Sequence, residues 1–134
     1  MAREFIFNLK VYYEDTDAGG VVYYANYLKY LERARTELIY QLNLNHNVLN
    51  KEYNTFIVVR SCNIQYKKFG FFEDKFTINT KLKEYSSFQL TLNQDIKRDK
   101  ELIVSAVVQL VAVNKEGKPI KMPVILLNKL EVIN

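Results

Sequence analysis

YYEDTDAGGVVYYANYLKYLERARTE, residues 12–37, contains the change of period that decides the architecture. Into it runs an alternation: Phe5, Phe7, Leu9, Val11 and Tyr13 interleave with Ile6, Asn8, Lys10 and Tyr12. Period two predicts a first strand ending near Tyr13. The segment Glu14 to Gly20 has no apolar periodicity, and Gly19 and Gly20 permit backbone angles closed to other residues, so it reads as a loop with a tight bend. From about Tyr23 to Leu42 the step becomes three and four, through Tyr24, Leu28, Leu31, Ala34, Leu38 and Leu42. That spacing predicts one long amphipathic helix. Its other face carries Lys29, Glu32, Arg33, Arg35 and Glu37, with Glu32 and Arg35 spaced for an ion pair.

Downstream, the asparagine-rich stretch Asn43 to Asn54 reads as a connecting loop. After it nearly everything is strand: Phe56 to Tyr66, Lys75 to Tyr85, Phe88 to Lys97 and Leu102 to Val113. Arg98 to Glu101 and Asn114 to Lys118 have hairpin composition, and Ser86 and Ser87 separate two of the strands. Pro123 is placed to open a short final helical segment containing Val124 to Leu130. Strand, long helix, then four strands is an α+β order, an antiparallel sheet of about five strands wrapping its apolar face around one helix. Phe56 to Tyr66 and Leu102 to Val113 are expected to leave apolar sheet edges, which a second copy would cover.

The 134 residues suit one domain, 1–134, and 49% hydrophobic against 25% charged residues supplies a packed core. No apolar run reaches the ~18 residues of a membrane span. Met1 to Phe7 include Glu4 and lack a signal-peptide core, so a cytoplasmic address is expected. One cysteine, Cys62, and one histidine, His46, are too few for an internal disulfide or a Cys/His zinc site, and no metal or cofactor is expected. The net charge of +4 is compatible with a polyanionic ligand such as coenzyme A, and equally with a surface tuned for solubility.

The string from Tyr12 to Glu37 resembles, without a gap, the signature of YbgC-like hotdog thioesterases, and a weaker likeness continues around Met122 and Pro123. The resemblance implies a hotdog fold and hydrolysis of acyl-CoA, or of an acyl thioester on acyl carrier protein, with the aspartate of DTDAGG, here Asp17, as the catalytic carboxylate. Elementary chemistry agrees, since Asp17 lies in a glycine-containing loop before a helix, where unpaired amides and the helix dipole favour developing negative charge. Asp17 can attack the thioester carbon to give an anhydride or act as general base on water, with amides in the region Val22 to Tyr27 holding the oxyanion. Asp15 takes the capping role common for aspartate in turns, and Glu14 faces solvent.

In the family pattern a histidine follows the VVY segment; here that position is Tyr24. A tyrosine, with a solution pKa of about 10, orients a group by hydrogen bonding more readily than it titrates, and it can equally pack its ring. Tyr13 matches a family active-site tyrosine and is a candidate to hydrogen-bond the Asp17 carboxylate or the substrate. Asn26 matches an asparagine of the family's HANY segment, a substrate-side candidate whose simpler use is to fix the start of the helix. Glu32, Arg33 and Arg35 match the ERAR segment, read as a charged helix face or subunit contact. Lys67, Lys68, Lys97, Arg98 and Lys100 are candidates for coenzyme A phosphates, and Phe69, Phe71 and Phe72 for an acyl channel or for core.

The resemblance further implies a homodimer or homotetramer with the active site between subunits, and a place in fatty-acid and phospholipid metabolism. Two other classes are weighed. Lys67, Phe69, Gly70 and Phe71 coincide with an RNA-recognition fingerprint, but Lys68 and Asp74 break it, and no second long helix follows residue 54, so no nucleic acid is expected. A non-catalytic scaffold of the same fold, binding acyl-CoA or an acyl carrier, is the alternative that Tyr24 raises; a hydratase ranks behind it. His46 lacks a nucleophile motif beside it and reads as a surface residue.

Overall fold

The computed structural model describes residues 4–133. Met1 to Arg3, part of the amino-terminal segment read above for targeting, lie outside the described residues. In chain order the elements are β1 (Phe5–Lys10), a 3-10 turn (Tyr13–Asp15), α1 (Asn26–Gln41), α2 (His46–Tyr53), β2 (Phe56–Tyr66), β3 (Lys75–Tyr85), β4 (Gln89–Arg98), β5 (Glu101–Val113), β6 (Pro119–Ile120) and α3 (Val124–Ile133). The strands form one antiparallel sheet in the order β1-β3-β4-β5-β2, and β6 lies beside the end of β5. This is the α+β hotdog arrangement, with six strands rather than about five, the sixth being the two-residue β6.

Strand alternation places the core. Val104, Ala106, Val108, Leu110 and Ala112 on β5 are buried, opposite Ile96, Leu92 and Leu90 on β4 and Ile78 and Phe76 on β3. Against this inner face lies α1, burying Tyr27, Tyr30, Leu31, Ala34, Leu38 and Ile39. Complete burial of one such leucine is worth ~1.5–3 kcal/mol, so the helix is held by this stripe far more than by its own propensity. The stripe is rotated from the one expected, because Leu28 and Tyr24 are exposed and Tyr27 and Tyr30 take the inside.

Three boundaries differ from expectation for identifiable reasons. β1 stops at Lys10 because Asp15 Oδ2 accepts a hydrogen bond from the Tyr12 amide at 2.9 Å, turning the chain before Tyr13. The asparagine-rich connector contains α2, whose cap is Asn45: its Oδ1 accepts from the Val48 amide at 2.8 Å, and buried Leu44 and Leu49 stand at staple positions. Asn43 and Asn54 adopt left-handed φ of 59° and 47°, ending α1 and α2. Finally, β5 is an interior strand, paired with both β4 and β2, so it is no sheet edge. The edges are β1 and β2, and β2 presents eleven residues, with Val58 and Val59 exposed on it.

Candidate active site

Asp17 sits on a hairpin of its own. Thr16 and Val22 bridge antiparallel, the Asp17 amide donates to Val21 O at 2.9 Å, and the Gly20 amide returns to Asp17 O at 3.0 Å. Gly20 has φ of 82°, the left-handed bulge position of a short hairpin loop, so of the two glycines it alone is required by its backbone angle. The Asp17 carboxylate folds back inside this turn, where Oδ1 accepts from the Gly19 amide at 2.8 Å. The group is exposed.

The hairpin is fastened at both ends. Val21 bridges Phe71, and the Val22 amide donates to Gly70 O at 2.8 Å. On the other side Asp15 O accepts from the Tyr23 amide at 2.9 Å and from Asn26 Nδ2 at 2.8 Å. Asn26 therefore staples the loop to the first turn of α1, the helix-start use expected for it. The Asp15 carboxylate is the cap at Tyr12 already described. Facing it is the buried Tyr30 hydroxyl, which meets no partner in good hydrogen-bond geometry among the described residues. Burial, and next the Asp15 carboxylate, push that phenol far above its ordinary value.

Before α1 begins, the backbone amides are largely committed. Val22 and Tyr23 bond as above, Asn26 donates to Tyr23 O, Tyr27 to Tyr24 O and Leu28 to Ala25 O. Among the described residues, the Tyr24 and Ala25 amides have no acceptor. Of the amides between Val22 and Tyr27, these two are the ones left free, at the amino end of a sixteen-residue helix.

Asp17 and Tyr24 open onto one cleft of about 480 Å³, walled by Val22, Tyr27 and Tyr66 and rimmed by Lys67, Lys68 and Phe69. Tyr24 is 61% exposed, and its ring meets Tyr66 edge-on at 6.0 Å. Tyr27 is buried, its hydroxyl accepting from the Gly70 amide at 3.0 Å. Burial raises the Tyr27 phenol, and the Gly70 bond partly opposes the shift.

The remaining candidates separate. Tyr13 is 76% exposed, stands edge-on to Phe72 at 5.7 Å and makes no hydrogen bond to Asp17. Lys68 reaches the cleft while paired with Glu101 at 2.6 Å, and Lys67 Nζ donates to Gln65. Lys97 belongs to a different hollow, with Glu4, Lys81 and Asp95 on the outer face of the sheet. Arg98 is consumed structurally: it bonds Asp74 at 2.6 Å, Glu101 at 2.6 Å and the Phe69 carbonyl at 3.1 Å, and covers the Phe71 ring. It clasps the β2–β3 loop, with four of its five N–H donors engaged. Of the three phenylalanines only Phe69 lines the cleft. The Glu32–Arg35 pair does not form; Arg35 Nη1 donates to Gln94 Oε1 at 3.0 Å, and Glu32 accepts from the Thr36 hydroxyl. His46 is half-buried at the start of α2.

Sequence reasoning missed Gly70. A Cβ there would lie 2.6 Å from the Phe76 ring and 2.8 Å from the Tyr27 hydroxyl, so the back of the cleft is built on its absence. A glycine inside an aromatic run, KFGFF, is the only signal the sequence carries for it.

Residues 11–130 match the model of the thioesterase-like superfamily. The acyl-CoA thioesterase YbgC of Haemophilus influenzae is 36% identical over 120 residues, 89% of this chain and 88% of that one. The acyl-CoA thioester hydrolase YbgC of Escherichia coli is 36% identical over 115 residues, covering 85% and 82%. Among solved structures, a probable thioesterase from Bartonella henselae superimposes with a TM-score of 0.86 at 30% identity, over 92% of this chain and all of that one.

Proposed function

Because the chain belongs to the thioesterase-like superfamily as a YbgC-like hotdog thioesterase, we propose that it hydrolyses acyl-CoA thioesters in the Asp17 cleft. The observation that carries this reading is that one carboxylate, Asp17, and Tyr24, whose amide has no acceptor among the described residues, line the same cleft, with the free Ala25 amide next along the chain at the start of α1. An ester carbonyl directed at those amides would develop its negative charge against two N–H dipoles and the positive helix end. Asp17 then removes a proton from water as the oxygen bonds to the carbonyl carbon. Collapse of the tetrahedral species breaks the C–S bond, and the thiolate takes up a proton, leaving acid and thiol. In the covalent variant an Asp17 oxygen attacks first and water cleaves the anhydride.

The single bond from Gly19 to Oδ1 leaves Oδ2 free among the described residues to act in either route. Lys67 and Lys68 at the rim supply positive charge toward the phosphates of the thiol carrier, with an acyl carrier protein a second donor of the same thioester. Tyr24, where relatives of this pattern carry histidine, contributes its amide and a wall of the cleft.

The long open edge of β2 ends at Tyr66 and Lys67, beside the cleft. Pairing of two copies along it would complete the site with groups from the partner, in a dimer or a pair of dimers. An active monomer in light scattering would end that part of the reading. The direct test is thiol release from acyl-CoA esters of graded chain length by the intact chain and by Asp17→Asn. Asparagine retains an oxygen for the Gly19 amide, so the hairpin survives, and the rate is expected to fall by ~10²–10⁴. An unchanged rate would remove Asp17 from the chemistry.

A further inference from the structure

Farther along α1 lies a second cavity, of about 180 Å³, that shares no lining residue with the Asp17 cleft. Its floor is apolar, made by Leu92, Leu110, Leu126 and Leu130 from β4, β5 and α3. Its mouth is polar and lies between the second half of α1, the start of α2 and the edge strand β2. Arg35, Glu32, Thr36 and His46 stand there beside half-exposed Val59.

Arg35 is the odd member. Its guanidinium carries five N–H donors and makes one hydrogen bond, to the neutral amide oxygen of Gln94. Gln94 is itself fully buried and saturated, its nitrogen donating to Leu31 O at 3.1 Å and to the Thr80 hydroxyl at 3.0 Å, so it holds Arg35 in place without neutralising it. Among the described residues no carboxylate lies within ion-pair distance of Arg35. The Glu32 carboxylate at the same mouth is taken by the Thr36 hydroxyl at 2.8 Å. Burial pulls the guanidinium below its ordinary value, with Glu32 opposing. A half-buried cation with free donors above a leucine-lined hollow is complementary to a molecule with an anionic head and an apolar tail.

We propose that this cavity binds a free aliphatic carboxylic acid, its carboxylate on Arg35 and its chain among the leucines. The cavity is slightly larger than the ~150 Å³ apolar cavity that admits benzene, so with the carboxylate outside on Arg35 it takes a short aliphatic chain. A carboxylate matches the guanidinium fork in a way that an alcohol or an amine does not. The site stands apart from the catalytic reading and does not require it.

The test is calorimetric titration of the full chain with octanoate, octanol and octylamine, repeated on Asp17→Asn, Arg35→Met and Val59→Trp. Octanoate is expected to bind at least about tenfold more tightly than the other two, because only it pairs with the cation. Asp17→Asn should leave that affinity unchanged even where it abolishes thioester hydrolysis, which keeps the two readings separate. Arg35→Met should remove the preference for octanoate over octanol. Val59→Trp, a change at a half-exposed strand position, should weaken all three by narrowing the mouth, and it serves if Arg35→Met fails to fold. Equal binding of octanol and octanoate, loss of octanoate binding in Asp17→Asn, or no binding at all because a second copy's acidic side chain already occupies Arg35 would each overturn the proposal.

Discussion

The Tyr27 hydroxyl accepts a hydrogen bond from the Gly70 amide at 3.0 Å, and the same oxygen lies 2.8 Å from where a Cβ on Gly70 would stand. One glycine therefore serves two purposes, giving an N–H to a buried phenol and leaving room for it. Gly70→Ala should destabilise the chain by about 1–3 kcal/mol, since the added carbon also meets the Phe76 ring at 2.6 Å and must displace core. Tyr27→Phe leaves the Gly70 amide unpaired and should cost ~1–3 kcal/mol. Urea denaturation of both variants checks this, and a change below experimental error in either would show that the back of the cleft relaxes freely.

Tyr30 presents the opposite case, a phenol buried on the inner face of α1 whose hydroxyl faces the Asp15 carboxylate but meets no partner in good hydrogen-bond geometry among the described residues. Tyr30→Phe removes a buried polar atom whose approach to Asp15 falls short of a well-formed bond, so at neutral pH the variant should be as stable as the parent or more so, by up to ~1 kcal/mol. The folded phenol is raised by burial and by Asp15. The unfolded chain thus ionises first, and the parent should lose stability relative to Tyr30→Phe as pH climbs past about 10. A parent that is clearly the more stable of the two at pH 7 would mean that the hydroxyl has found a bond.

At the acidic end, Glu101 is held below the usual carboxylate range, first by the Lys68 hydrogen bond and then by Arg98. Glu4 is lowered likewise by Lys81 and Asn79. A depressed folded value means that the contribution is present above the unfolded value of about 4.3 and fades as pH falls through the folded one. Urea midpoints should therefore drop between about pH 5 and pH 3, and Glu101→Gln should flatten that drop. Parallel curves for parent and variant would assign the acid sensitivity elsewhere.

Tyr24 offers the cleft a backbone amide and an exposed ring, and its hydroxyl makes no hydrogen bond among the described residues. Tyr24→Phe should accordingly change the rate of thioester hydrolysis by less than about tenfold, or ~1.4 kcal/mol. A larger loss in kcat, with KM unchanged, would put the hydroxyl in the transition state.

The strands were legible because each inner position, such as Leu90, Leu92, Ile96 or Val108, alternates with a polar or half-exposed neighbour, and period two survives any choice of partner. The face of α1 was harder. Tyrosines occur on both sides of it, and nothing local decides that Tyr27 and Tyr30 turn inward while Leu28 turns out. Asn43, Asn45 and Asn54 were read as loop formers because helix caps and loops use the same residue, and the buried pair Leu44 and Leu49 that marks the cap is visible only once it is paired. At the candidate site, Asp17 was singled out by the resemblance of the string from Tyr12 to Glu37, since an aspartate beside two glycines reads by itself as a turn. The identity of the free amides could not be read there, because it depends on which neighbours are consumed by distant groups, as Val22 is by Gly70. Arg98 misled for the same reason, since Asp74 and the Phe69 carbonyl, two of its partners, lie more than twenty residues away.

The Arg98 clasp gives the lip of the cleft a character unlike the rest of the molecule. The back wall is largely aromatic, but the β2–β3 loop that carries Phe69 is fastened to the β4–β5 turn by one guanidinium shared among Asp74, Glu101 and a carbonyl. Such a fastening weakens with ionic strength, whereas apolar packing does not. The entrance is thus tunable separately from the core: salt loosens the doorway and leaves the building standing.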